Sequence, residues 1–91
     1  MKYVLFYESA ADIRTMAPPY FAAHRARWAD IHAAGTLLMI GPFADAADDS
    51  AMAVFTTRAA AEDFARCDPF VLHGVVRAWH IRTWNEALTA P

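Results

Sequence analysis

The chain has 91 residues, which is room for one domain with a modest core and not for a second, since domains run about 50 to 200 residues. Its apolar fraction of 57% exceeds the roughly 45–50% of ordinary soluble chains, while 20% of residues are charged and the net charge is only −2. That balance predicts an oligomer, and basic residues scattered from Lys2 to Arg82 exclude the basic stripe of a nucleic-acid binder, just as strand-length apolar runs exclude a bilayer span of about 20 residues.

Residues 2 to 8, Lys-Tyr-Val-Leu-Phe-Tyr-Glu, are β-branched and aromatic without a breaker, and predict a strand that is apolar on both faces. A strand that starts at once, after a single Lys2, argues against a signal peptide. Ser9 to Thr15 is polar and reads as a turn. Pro18 and Pro19 suit a first helical turn, where no amide donor is needed, and Gly35 suits the position after a last one. A helix from Pro18 to Ala34 is expected. On it Phe21, His24, Trp28 and Ile31 recur at steps of three and four residues and share one face, so His24 falls in the middle of an apolar stripe.

Thr36 to Phe43 reads as a second strand closed by Gly41-Pro42, and Ala51 to Thr57 as a third. Asp45, Asp48, Asp49 and Ser50 make the connection between them polar. Thr57 is a suitable N-cap for a second helix through Arg66. Asp68-Pro69 restarts the chain as a short helical turn ending at Gly74, with Asp as cap and Pro in the first position. Val75 to Trp84 is the last strand, and Asn85 to Pro91 is expected to fray.

The order β, α, β, β, α, β is the ferredoxin-like arrangement: an α+β fold in which two helices cover one face of a four-stranded antiparallel sheet. Residues 1–91 form one unit. The first strand is apolar on its uncovered side too, and exposed apolar patches of that size mark interfaces. Two sheets packed face to face in a homodimer, a dimeric α/β barrel, are therefore expected.

Few residues are suited to chemistry. His24 and His32 stand eight apart, about 80° around a helix, and so are not the i, i+4 pair of a helical metal site. No metal ligand set and no cofactor are expected. Gly35, Gly41 and Gly74 are caps or turns rather than a phosphate loop, and Ser9 and Ser50 lack the strand-to-helix elbow of a serine hydrolase. The lone Cys67 has no internal disulfide partner, which fits a reducing, cytoplasmic location. His24 is the strongest candidate: an imidazole on a buried stripe needs partners for two ring nitrogens, and imidazole titrates near neutrality. A core histidine bonded to one backbone group would occupy the same place. Asp68, read alone, is a helix cap.

His24-Arg25-Ala26-Arg27 on the first helix, Gly41-Pro42 at the end of the second strand, and Asp68-Pro69-Phe70-Val71 followed by Gly74-Val75 together resemble the YciI-like, or YCII-related, family. The match runs from Tyr3 through Trp84. The resemblance implies a dimeric α/β barrel and singles out His24 and Asp68 as the active-site pair, with lyase-type dehydrochlorination among relatives. Trp28 departs from the smaller aliphatic residue more usual there; if it points into the pocket it narrows it and favours flat or small ligands, and otherwise it fills core.

The expected function is a cofactor-independent lyase or isomerase in which His24 moves a proton and Asp68 orients the ring, acting on a small aromatic or carbonyl-containing molecule. Tyr7 and Arg27 are further candidates for substrate contact, with interface packing and a surface charge as their alternatives. The rival is a small-molecule-binding or regulatory module without catalysis. A purely structural dimer would have the space around His24 filled.

Overall fold

A computed structural model describes residues 1–45 and 49–91; Asp48 of the polar connection lies outside the described residues. The elements follow as β1 (Lys2–Ser9), α1 (Ile13–Met16), a 3-10 turn (Pro18–Tyr20), α2 (Phe21–Ala33), β2 (Leu37–Pro42), β3 (Ala51–Phe55), α3 (Arg58–Cys67), α4 (Pro69–Leu72) and β4 (Val76–Trp84). The strands form one antiparallel sheet in the order β2-β3-β1-β4, with Leu5 of β1 opposite Ala53 of β3 and Ile81 of β4. This is the expected α+β arrangement, with β1 and β3 in the middle.

The alternation of β1 divides its residues between two environments. Leu5 and Tyr7 join Leu37, Ala53, Phe55, Phe64, Phe70 and Val75 in the core between sheet and helices. Tyr7 thus faces the helical layer, which overturns the alternative of interface packing. Val4 and Val54 are paired across the strands on the opposite face, buried by their neighbours but outside that core cluster. Phe6 stacks on His80 there at 5.0 Å, and Met39 and Trp84 are exposed.

Three local expectations need correction. The stretch read as a polar turn contains α1, whose Ile13 and Met16 pack against the core. The helix expected from Pro18 begins as a 3-10 turn, with the Tyr20 amide bonded to Ala17 carbonyl at 2.9 Å, and becomes α-helical only at Phe21. Two consecutive prolines remove two amides, and the tighter winding uses the next one available. The tail is not wholly frayed. Glu86 takes the N-terminal ammonium at 2.5 Å and Lys2 Nζ at 3.0 Å. Those hydrogen bonds, the N-terminus first, hold its carboxyl down at about 2.

Candidate active site

The joint between α3 and α4 is built by two adjacent residues. Pro69 drives the residue before it out of the helical region, and Asp68 is extended at φ −66°, ψ 128°. The chain breaks there, and the Asp68 side chain turns back to cap α4 through the Phe70 amide, 3.1 Å from Oδ1. Asp68 is 0% exposed. A carboxylate so buried needs partners on both oxygens, and it has them. Oδ1 also lies 2.9 Å from His24 Nδ1, and Oδ2 accepts the Tyr7 hydroxyl at 2.6 Å. Burial, and then the charge and hydrogen bond of Asp68, push the Tyr7 phenol far above its ordinary 10.0, with Arg27 opposing in part. Tyr7 is therefore a fixed donor.

His24 is positioned from two sides. Its ring stacks on Phe70 at 4.0 Å and 14°, and Phe70 is itself fixed by the same carboxylate. Facing a carboxylate, Nδ1 is assigned the proton, which leaves a lone pair on Nε2. Nε2 makes no hydrogen bond among the described residues. One nitrogen is anchored and the other is available.

The ring borders a half-open cavity of about 600 Å³ between α2 and the sheet. Its walls are apolar: Leu5, Phe21, Trp28, Ile40, Phe64 and Phe70 among others, with Tyr7, Ser9, Ser50, Arg14 and Arg25 as the polar groups beside His24. The space beside His24 is open within the single chain, unlike the filled space that a purely structural role predicts. Of the residues chosen from sequence, His24, Asp68 and Tyr7 come together and Trp28 stands in the cavity wall. Arg27 does not. Its Nη1 donates to the Phe64 carbonyl at 3.0 Å and its Cζ lies 4.9 Å over the Phe64 ring, tying α2 to α3 away from the cavity.

Sequence reasoning passed over Phe21 and Phe70 as aromatic walls, Arg14 and Arg25 as cavity charges, and the Ser9–Ser50 pair, whose hydroxyls bond each other while Ser50 Oγ donates to the Tyr7 carbonyl at 3.1 Å. Two of them had a signal: Phe21 shares the His24 face of α2, and Phe70 stands two positions after the cap in the Asp-Pro-Phe segment. Among the described residues no three His, Cys, Asp or Glu side chains converge as a metal site, and no helix is long and apolar enough to cross a membrane.

Comparison with known proteins agrees with this architecture. The YCII-related domain matches residues 1–85. Among solved structures, the 5-chloro-2-hydroxyhydroquinone dehydrochlorinase of Burkholderia phenoliruptrix AC1100, in complex with 2,5-dihydroxybenzoquinone, superposes with a TM-score of 0.77 over 96% of each chain at 17% identity. No curated protein matches the chain. At that identity the structural likeness establishes the shared fold. The domain match, spanning nearly the whole chain, means that this protein belongs to the YCII-related family.

Proposed function

We propose that the cavity beside His24 is the active site of an acid–base enzyme of lyase or isomerase type, acting on a small aromatic or carbonyl-containing molecule. The observation that carries this is the 2.9 Å contact between His24 Nδ1 and the buried Asp68, with Nε2 left unbonded at an apolar cavity. In this reading Asp68 holds the tautomer and stabilises the imidazolium formed when Nε2 takes a proton from the substrate. The electron pair released makes a new double bond. Either a leaving group departs, completing an elimination, or the imidazolium returns its proton at another atom, completing an isomerisation. Tyr7, donating to the far oxygen of Asp68, fixes the carboxylate's plane. A dehydrochlorinase of the same fold and a Trp28 wall suited to flat molecules both favour this class.

The test uses 5-chloro-2-hydroxyhydroquinone and related halogenated or keto–enol aromatic probes, with chloride release and tautomerisation as readouts. His24→Ala should keep the fold by circular dichroism and lose about 10²-fold or more of turnover, the usual contribution of a positioned acid–base group. A folded H24A variant with unchanged turnover sinks the reading.

The sheet face bearing Val4, Phe6, Met52 and Val54 is, in the same proposal, where two copies pack. Sedimentation should give twice the chain mass of 10.1 kDa, and Phe6→Lys should give monomers. A monomeric wild type at micromolar concentration removes the pairing.

A further inference from the structure

The cavity wall carries fixed charge of one sign. Arg14 on α1 and Arg25 on α2 both line it, and among the described residues no Asp or Glu does. The nearest carboxylate of the site, Asp68, is sealed behind His24 and spent on three donors. Of the other arginines, four are engaged, and Arg82 lies opposite Val4 on the far face of the sheet. Arg58 and Arg66 flank Glu62, Arg77 pairs with Glu8, and Arg27 bonds the Phe64 carbonyl. Arg14 and Arg25 have neither an ion pair nor a side-chain hydrogen bond among the described residues.

Arg25 has a particular setting. Its Cζ lies 5.7 Å from the centroid of Phe21, itself a cavity wall, so an aromatic face holds the guanidinium at the cavity edge and leaves its donors unused. Arg25 is exposed at the rim, so its guanidinium is accessible to a ligand, and its planar fork matches a carboxylate. Arg25 also follows His24 directly in sequence, one helical step from the acid–base group. Walls of Phe21 and Trp28 suit a flat ring.

We infer that the cavity binds a small aromatic carboxylate, with Arg25 pairing its carboxylate, Arg14 adding to the positive field, and the ring lying against Phe21 and Trp28. This rests on the cavity being the active site and names the class of molecule it admits. The occupant is an anion because, among the described residues, the wall offers two cations and no carboxylate to compete for them.

The experiment titrates isotope-labelled full-length protein with naphthoate and, separately, with naphthamide, its neutral analogue of equal shape, following amide and indole resonances. Naphthoate should bind about tenfold or more tightly than naphthamide, with shifts at Phe21, Arg25 and Trp28. In Arg25→Gln the preference should fall below about threefold while naphthamide affinity is kept, and Arg14→Gln should give a smaller fall. Salt should weaken naphthoate alone. Equal affinity for the two probes, binding of neither, or an unchanged preference in the double R14Q/R25Q variant overturns the inference. H24A separates this from the proposed reaction: it should retain the preference for naphthoate while turnover is lost. Loss of the preference with turnover still dependent on His24 removes only the carboxylate, and the reverse pattern removes only the proton transfer.

Discussion

α2 and α3 lie in the same layer on the same sheet, yet they are held in different ways. α3, with 10 residues, buries Ala61, Phe64 and Ala65 almost completely, whereas α2, with 13, buries none of its residues. The stripe that reads as core in α2, Phe21 to Ile31, is half wall and half packing, because a cavity stands between part of that helix and the sheet. Specific ties replace close packing. His24 reaches Asp68 and stacks on Phe70, and Arg27 reaches the carbonyl and ring of Phe64, so α2 leans on α3 and α4. The difference separates stability from chemistry: the short helix anchors the domain, and the longer one roofs the site.

The largest expected effects contrast one phenylalanine from each helix. Phe64 is 1% exposed and Phe21 is 43% exposed. Phe64→Ala should cost about 3–5 kcal/mol by urea denaturation, as truncation of buried aromatics does. Phe21→Ala should cost under about 1 kcal/mol, since little is left unfilled around a half-open side chain. Equal losses at the two positions would erase the contrast between the helices.

How much of this was legible from sequence follows the range of the interactions. Local signals worked: strand alternation gave the sheet and its two faces, Thr57 caps α3 through the Ala60 amide at 3.1 Å, and Asp68 caps α4 as its place before Pro69 suggests. The four-residue α1 was missed because it is too short to show a helical period. The site itself is non-local. His24 and Asp68 are 44 positions apart and Tyr7 and Asp68 are 61, so no local pattern joins the cap of one helix to a histidine on another; the family resemblance named the His24–Asp68 pair, and packing shows its geometry and adds Tyr7 as the second donor. Arg25 and Arg27 show the same limit at close quarters. Two residues apart, they project about 200° apart around the helix, and nothing local states which side the cavity takes.

Tyr7 sharpens the comparison from the anchored side. Tyr7→Phe removes a buried donor to a carboxylate and should cost about 1.5–3 kcal/mol at neutral pH, the usual worth of a hydrogen bond to a charged group. Because the folded phenol is held above its ordinary 10.0, its contribution is fully present below pH 10.0 and declines as pH rises beyond it, where only the unfolded chain loses the proton. The stability gap between wild type and Y7F should therefore narrow in alkali. Tyrosinate absorbance should include one step that coincides with unfolding and is absent from Y7F; a step for that residue in the folded protein would show that Asp68 is not its fixed acceptor.

Arg27 sets the smallest effect and the most selective one. Arg27→Met keeps the aliphatic stem and removes the donor to the Phe64 carbonyl and the cation over its ring, a change of about 1 kcal/mol at a half-buried position. Its consequence depends on which helix needs the tie. α3 has its own buried apolar face, so its amides should keep their hydrogen-exchange protection. α2, with no fully buried residue, should open more readily, with faster exchange from His24 toward Ala33. Equal acceleration in both helices would mean that they open as one unit, and the cavity roof would then be as rigid as the floor it leans on.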